Sequence, residues 1–383
     1  MKKVTTLLLA AVLLAGMLPR RAAAVDLNLN AKSALLMDVA TGTVLYEKEC
    51  HERLAPASVT KVMTMLLIME ALDDGRIHLD DQVTASEAAA AKGGSQIYLK
   101  AGETMPVSDM LKSIAVSSAN DCACAMAELI AGSESAFVEQ MNQRAAELGM
   151  ADTHFVNCTG LDDSKEAENH RTSAYDIALM SRQLLKYHPD IKKYTTIWMD
   201  TVRGGTFGLS NTNKLIRFYS GATGLKTGFT SGAGYCLSAT AKREGMELIA
   251  VVMGAPTSEA RSAAAKSLLD FGFANYTLVD VKPDQALAPV TVLLGQEKQV
   301  QPQYAQSCRL LVEKTKQNMI TTEVTVASDV EAPVEQGQTL GELLVKVDGV
   351  TQQSIPIVAS QPVERLTVPG IFGQLLQRLF MAR

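Results

Sequence analysis

The pattern of apolar and polar positions divides the chain into four parts, and the first is short. Two lysines precede an almost unbroken apolar run at residues 4–18, and three alanines follow at 22–24. This order is typical of a cleavable export signal, and the run is too short to cross a bilayer comfortably. We therefore expect residues 1–24 to be a signal peptide outside the fold, with an uncleaved anchor as the alternative.

Residues 25–275 combine strand-like alternation with helical periodicity. Strands at both ends of a helical middle favour an α+β domain whose sheet joins distant segments. The predicted elements are two strands around a turn at Thr41-Gly42 within residues 31–46, helices over 58–72, 105–129, 136–148 and 173–187, strands over 235–241 and 248–253, and a helix over 258–271.

Residues 276–366 change in character, with frequent Val, Thr and Gln. Short alternating runs at 322–326 and 343–347 are separated by Pro and Gly, which predicts a small β-rich domain. We find no group of residues there that could do chemistry, so we expect a role in spacing or interaction.

Residues 367–383 form the last part. Apolar side chains recur at helical spacing, which predicts an amphipathic helix. Such a helix is too short to span a bilayer but can lie on its surface; docking on the protein itself is the alternative. The apolar positions are Ile371, Phe372, Leu375, Leu376 and Leu379.

Charge and composition exclude several classes of function. The net charge is −5, and the basic residues are scattered, which argues against a nucleic-acid partner. The six cysteines lack metal-ligand spacing and are expected to be buried small apolar side chains. The five histidines form no H-E-x-x-H motif, and we expect each to be a surface or capping residue. Neither a metal nor another cofactor is predicted.

The first candidate motif is Ser-x-x-Lys, at Ser58 and Lys61. Three residues make nearly one helical turn, so both side chains lie on one face. A lysine can remove the serine proton only when it is neutral, and the apolar helix that follows could provide the necessary desolvation. Alone, this motif occurs often by chance.

Two further motifs follow along the chain. Ser-x-Asn, at Ser118 and Asn120, offers a proton relay and a side chain that can bind an amide, although a helix cap is the simpler interpretation. Lys-Thr-Gly, at residues 226–228, offers donors for a carboxylate and a glycine that permits close approach to backbone, although it could be a turn.

In this order the three motifs are the signature set of penicillin-binding proteins and serine β-lactamases. The wider sequence resembles the serine-type D-alanyl-D-alanine carboxypeptidase family, the low-molecular-mass penicillin-binding proteins, over about residues 28–275, and more loosely beyond. The resembling blocks are RLAPASVTKVMT, GGSQIYLKAGE, SSANDCACAMAELIAG, THFVNCTGLD, HRTSAYDIAL, GLKTGFTSGAGYCLSATA and VVMGAPTSEARSAAAKSLLDFGF.

The resemblance implies a penicillin-binding, serine β-lactamase-like transpeptidase domain at residues 25–275, followed by a small β-rich domain at 276–366. The implied activity is hydrolysis of the terminal D-Ala-D-Ala bond of peptidoglycan stem peptides, with release of D-alanine and acylation by β-lactam antibiotics. The implied location is outside the cytoplasmic membrane, at its outer face or in the cell wall or periplasmic space.

The resemblance also implies roles for individual residues. Ser58 would be the acyl-ester nucleophile, Lys61 the proton acceptor and Ser118 a proton relay assisted by Lys226. Backbone N–H groups of Ser58 and Phe229 would form the oxyanion hole, and Thr227 with Arg261 would hold the substrate carboxylate. The implied substrate-binding residues are Asn120, Lys226, Thr227, Gly228, Phe229 and Arg261.

Two departures from the family pattern bear on substrate preference. Cys158 and Thr159 stand where the family commonly has a proline-containing pair, and Phe229 offers packing but no side-chain hydrogen bond. Neither departure touches the three motifs.

Two other functions remain as alternatives. A serine β-lactamase would need a Glu-x-x-x-Asn pair, whereas Glu166 is followed at that spacing by His170 and Glu147 by Ala151. A catalytically inactive wall-binding protein would not need all candidate catalytic positions, and here all are intact.

Overall fold

The computed structural model describes residues 26–281 and 286–372. The expected signal peptide and residues 373–383 of the expected C-terminal helix lie outside the described residues. The chain forms two compact units. The first contains the described residues up to Lys242 together with Leu248–Asp270, and the second contains Arg243–Glu247 together with the described residues from Phe271 onward.

The first part of the chain has strands at both ends of a largely helical middle, as the sequence pattern predicts, but the four short strands between Gln82 and Ser210 were not predicted. The strands are β1 (Ser33–Asp38), β2 (Val44–Lys48), β3 (Gln82–Thr84), β4 (Thr104–Pro106), β5 (Met199–Val202), β6 (Phe207–Ser210), β7 (Ala222–Thr230), β8 (Gly234–Arg243) and β9 (Met246–Ala255). The helices are α1 (Lys61–Asp73), α2 (Glu87–Ala90), α3 (Val107–Ser117), α4 (Asn120–Ala131), α5 (Glu134–Glu147), α6 (Ala174–Tyr187), α7 (Lys192–Thr195), α8 (Leu215–Phe218) and α9 (Ser258–Asn275).

A five-stranded sheet joins the two ends of the first unit, in the order β2-β1-β9-β8-β7. Strand β1 pairs antiparallel with both β2 and β9, so segments about 200 residues apart are neighbours, as expected of an α+β fold. Strand β7, which carries the Lys-Thr-Gly motif, lies at the edge of the sheet and is paired on one side by β8.

Helix α1 runs through the core, and most of its residues are buried. Because the helix is surrounded, its sequence is apolar on all sides rather than along one stripe. Its side chains, including Met63 and Leu66, share one hydrophobic cluster with strand residues such as Leu35 and Val251. The core therefore fixes the position of Lys61, the first residue of the helix.

The prediction of one continuous helix over residues 105–129 is wrong. It is two helices, α3 and α4, because Ser118 adopts a left-handed conformation with φ of 64° and breaks the chain direction. Helical periodicity continues on both sides of the break, so the apolar pattern alone does not reveal it. The break falls within the Ser-x-Asn motif.

The second unit is β-rich, as predicted. Alternating burial along its last two strands, Thr339–Val347 and Val350–Ala359, builds a core of side chains such as Leu343, Val345 and Ile357. The strands are β10 (Tyr276–Val281), β11 (Val290–Leu293), β12 (Gln299–Val300), β13 (Pro302–Tyr304), β14 (Cys308–Glu313), β15 (Ile320–Val326), β16 (Asp329–Glu331), β17 (Thr339–Val347) and β18 (Val350–Ala359).

Two further expectations concern cysteines and membranes. All six cysteines are buried and free, as expected of small apolar side chains. Within residues 26–281 and 286–372, none of the helices combines the length and apolar character that crossing a membrane requires.

Candidate active site

Ser58 lies in a one-turn 3-10 helix, Ala57–Thr60, that leads directly into α1. The turn is closely enclosed by two glycines. A Cβ on Gly160 would lie 1.8 Å from the carbonyl oxygen of Ala57, and one on Gly228 would lie 2.6 Å from that of Pro56. Only residues without side chains permit these approaches, so both glycines hold neighbouring backbone against the serine turn.

Lys61 is fully buried beside the serine. Its Nζ lies 3.0 Å from Ser58 Oγ and 2.9 Å from the carbonyl oxygen of Thr159. Burial lowers the pKa of Lys61 to about 7, more than offsetting the opposing influence of Cys158 and Asp121. A large fraction of the amine is therefore neutral near neutral pH and able to accept a proton from the serine.

The second motif presents one free acceptor. Asn120 begins α4 and is 1% exposed, and its Nδ2 donates to the carbonyl oxygen of Gly93 at 2.7 Å. That bond fixes the orientation of the amide, and Asn120 Oδ1 is buried with no hydrogen-bond partner among the described residues. Ser118 is 4% exposed at the break between the helices.

Asp121 supports this motif, although its role was missed in the sequence. Its carboxylate is fully buried and accepts hydrogen bonds from the backbone N–H groups of Ile97 and Leu99, at 3.1 and 3.0 Å from Oδ2. The bonds tie the loop of the GGSQIYLKAGE block to the start of α4, which explains why this block accompanies the motif.

The third motif brings a second buried lysine to the site. Lys226 is 1% exposed, and burial, followed by the charges of Lys61 and Arg261, lowers its pKa well below the usual range. Its Nζ donates to the carbonyl oxygen of Thr227 at 2.9 Å. A Cβ on Gly228 would lie 3.0 Å from the backbone nitrogen of Ser58, so the third motif adjoins the first. The charge of Asp121, next to Asn120, raises the pKa of Lys61 and thus acts on the same amine. The three motifs therefore lie close together.

Arg261 and Phe229 complete the predicted set. Arg261, in the first turn of α9, is 7% exposed, and its guanidinium carbon lies 5.6 Å from the centroid of the Tyr235 ring. Its Nε has no hydrogen-bond partner in the part of the chain that the structure describes. Phe229 is 54% exposed. Its ring packs against the ring of Tyr235, and the two centroids are 4.3 Å apart.

Two neighbours of the site were missed in the sequence. The Oγ1 atom of Thr212, an exposed side chain, lies 2.6 Å from Thr227 Oγ1. His170 is 3% exposed and hydrogen-bonds Thr60, so the expectation of a surface position is wrong for this histidine, although it does lie at the C-cap of the 3-10 helix Lys165–Asn169. A lone threonine or histidine far along the chain carries no spacing signal that could have found either.

The alternative enzymatic functions would need a buried carboxylate near the serine or a group of metal ligands. Glu166 and Glu147 are exposed, and Glu147 pairs with Arg144 at 3.0 Å. Across the described ranges, no group of three or more His, Cys, Asp or Glu side chains could hold a metal ion.

An α+β domain that gathers Ser-x-x-Lys, Ser-x-Asn and Lys-Thr-Gly at one site defines the penicillin-binding class of proteins. The family model for D-alanyl-D-alanine carboxypeptidases matches residues 20–257, and the model for the C-terminal domain of penicillin-binding protein 5 matches residues 278–365. The chain belongs to the D-alanyl-D-alanine carboxypeptidase family, and is a serine-type hydrolase of the peptidase class.

Relatives and solved structures agree with this membership. The chain is 44% identical to D-alanyl-D-alanine carboxypeptidase DacF of Bacillus subtilis over 95% of both chains. It is similar to penicillin-binding protein 5 of Haemophilus influenzae, with 30% identity, a TM-score of 0.78, and coverage of 90% of this chain and all of the other. It is also similar to ampicillin-bound penicillin-binding protein D2 of Listeria monocytogenes, with 32% identity, a TM-score of 0.57, and coverage of 65% of this chain and all of the other.

Proposed function

We propose that the protein hydrolyses the terminal D-Ala-D-Ala bond of peptidoglycan stem peptides through an acyl-enzyme on Ser58. The observation that carries this proposal is the 3.0 Å contact between Ser58 Oγ and Lys61 Nζ, an amine whose pKa is lowered to about 7. The neutral amine accepts the serine proton as Oγ attacks the carbonyl carbon. D-Alanine leaves, and water then cleaves the ester to release the shortened stem.

The proton on Lys61 has to reach the amine of the leaving D-alanine. We assign this relay to Ser118, because a hydroxyl group can accept one proton while donating another. Lys226 assists this relay as a second buried amine near Lys61, and the charge of Lys61 is among the causes that lower the pKa of Lys226.

Substrate binding is assigned to two backbone N–H groups and to polar side chains of the second and third motifs and of α9. The N–H groups of Ser58 and Phe229 form the oxyanion hole, and Gly228 between them keeps the backbone free of a side chain. Asn120 Oδ1 accepts an N–H of the stem peptide. Thr227 and Arg261 hold the free carboxylate of the terminal D-alanine through charge-assisted hydrogen bonds.

The β-lactamase alternative is disfavoured by the exposure of Glu166. Without a carboxylate that activates water for fast deacylation, a penicillin is expected to acylate the enzyme and remain bound. Rapid turnover of penicillin would favour the β-lactamase, and failure to label would favour an inactive wall-binding protein.

Mass spectrometry after exposure to a labelled penicillin tests the central proposal. The wild-type protein should carry one adduct, on Ser58. Ser58→Ala should abolish the adduct with nearly unchanged thermal unfolding, and the exposed helix residue Ser135 offers a matched control in Ser135→Ala, which should label normally. Persistent labelling of Ser58→Ala would refute the assignment.

We further propose the domain limits 25–275 and 276–366, export directed by residues 1–24, and membrane association through residues 367–383. The enzyme then acts at the outer face of the cytoplasmic membrane or in the wall space. What supports the membrane contact is the described start of the last helix, where Val368 is 81% and Phe372 66% exposed.

A further inference from the structure

His170 is a buried histidine close to the serine turn. It follows a 3-10 helix at Lys165–Asn169, and its ring meets that of Phe155 edge-on with centroids 5.6 Å apart. Burial, followed by the nearby charges of His154 and Arg171, lowers the pKa of His170 to about 3. The ring is therefore neutral at neutral pH and has one donor nitrogen and one acceptor nitrogen.

The hydrogen bonds of His170 fix which nitrogen carries the proton. The backbone N–H of Val156 donates to Nδ1 at 3.2 Å, so Nδ1 is the acceptor and Nε2 carries the hydrogen. Nε2–H then donates to Thr60 Oγ1 at 2.8 Å, and the Thr60 hydroxyl donates to the carbonyl oxygen of Ala57, also at 2.8 Å. The result is one chain of three hydrogen bonds with a single direction.

The chain of hydrogen bonds ends at the peptide group between Ala57 and Ser58, whose N–H is a proposed oxyanion donor. The C=O of Ala57 and the N–H of Ser58 belong to one planar peptide group, so fixing the oxygen fixes the direction of the hydrogen. Ala57 has φ of 47°, an unfavourable value for a residue with a side chain, and it has to be held by its surroundings.

We propose that His170 is a positioning residue that, acting through Thr60, aims the Ser58 N–H at the oxyanion of the reacting carbonyl. The inference rests on the proposed function, in which that N–H is one of the two oxyanion donors. His170 touches neither the substrate nor the reacting atoms, and its effect is expected on the rate of acylation rather than on initial binding.

Rapid-mixing kinetics with a chromogenic penicillin separate these two quantities. Complete loss of one oxyanion donor commonly slows a reaction about 10²- to 10³-fold. A donor that remains but is poorly aimed should cost less, and we expect His170→Leu to slow acylation at saturation about tenfold or more. The dissociation constant of the non-covalent complex should change by less than about twofold.

Conservative variants test whether the hydrogen-bond chain, rather than packing, is responsible. His170→Gln offers one acceptor and one donor and should recover acylation to within about threefold of wild type. Thr60→Val should slow acylation like His170→Leu, whereas Thr60→Ser should not. The double variant His170→Leu/Thr60→Val should be no slower than the slower single variant, because both break one chain.

His188→Gln is the matched control. His188 is 9% exposed in the same unit and hydrogen-bonds Asp73 instead of the serine turn. This variant should acylate at the wild-type rate. Thermal unfolding identifies any variant that fails to fold, and the Thr60 pair still decides the question if His170→Leu does not fold.

Two results would overturn the inference. One is acylation by folded Thr60→Val or His170→Leu within twofold of wild type. The other is an absence of rescue, in which His170→Gln is as slow as His170→Leu and Thr60→Ser is as slow as Thr60→Val. An adduct on a residue other than Ser58 in the wild-type protein would instead refute the proposed function itself.

Discussion

The two units differ in what they bury. The first encloses ionisable side chains, among them Lys61, Asp121 and Lys226, which are at most 1% exposed. Beyond Phe271, no polar or charged side chain is buried within the described residues, and the core is built from side chains such as Leu343 and Val345. Burying charge is costly, so the buried lysines of the first unit indicate that the candidate functional site lies there.

The largest effect is expected at the buried base. Lys61→Arg retains a positive charge but cannot be deprotonated at working pH, so general-base catalysis is lost. Acylation by penicillin should fall by at least about a hundredfold. Lys346→Arg, in the second unit, alters a lysine that pairs with Glu323 near the surface and should acylate normally. A Lys61→Arg variant within about threefold of wild type would contradict the role of base.

A smaller effect is expected at the buried arginine. A charge-assisted hydrogen bond contributes about 1.5–3 kcal/mol, so Arg261→Ala should lower kcat/KM for free D-Ala-D-Ala ends roughly 10- to 150-fold. Labelling of Ser58 by penicillin should persist. The control is Arg309→Ala, which removes an exposed ion pair with Asp280 in the second unit.

Peptides with amidated ends sharpen the same test. The wild-type enzyme should prefer the free acid, and Arg261→Ala should lose most of that preference because the amide offers no charge to recognise. Equal cleavage of acid and amide by the wild-type enzyme would defeat the assignment of Arg261 and Thr227.

Sequence reasoning was most successful where local pattern and packing agree. The apolar run before residue 73 predicted α1, and alternation predicted β17, because each reports directly on burial. The family, fold class and activity, which rest on three motifs in order, are confirmed by the comparisons. The roles of individual site residues remain predictions.

What the sequence could not supply depends on contacts between distant segments. The break at Ser118 is set by the left-handed backbone of one residue, and periodicity passes through it unchanged. The bond from His170 to Thr60 joins residues 110 positions apart, and Thr212 meets Thr227 through a hydroxyl contact. Neither the break in the helix nor these two contacts follow a spacing rule, so only the folded chain reveals them.

The pH dependence of acylation should show a smaller, graded effect. Lys61 acts as a base only when neutral, and its pKa is lowered to about 7. The acylation rate should therefore be nearly level well above pH 7 and fall about tenfold for each unit well below it. The fall in rate below pH 7 should be absent from the slow residual acylation of Lys61→Arg. A wild-type rate that stays flat down to pH 5 would show that the base is not a lysine of this pKa.

The smallest effect on catalysis is expected at the end of the chain. The sequence of residues 371–380 predicts a helix with an apolar face, and Arg378 and Arg383 are the basic residues of segment 371–383. Such a short helix should bind a membrane weakly and reversibly. Deleting residues 370–383 should leave kcat on a soluble peptide unchanged while reducing flotation with anionic liposomes. Phe372→Glu, which places a charge on an exposed apolar position, should reduce flotation in the full-length mature protein. If the truncated and full-length proteins float equally, residues 370–383 do not bind the membrane. The role of the second unit then cannot be to connect the catalytic unit to a membrane-bound helix.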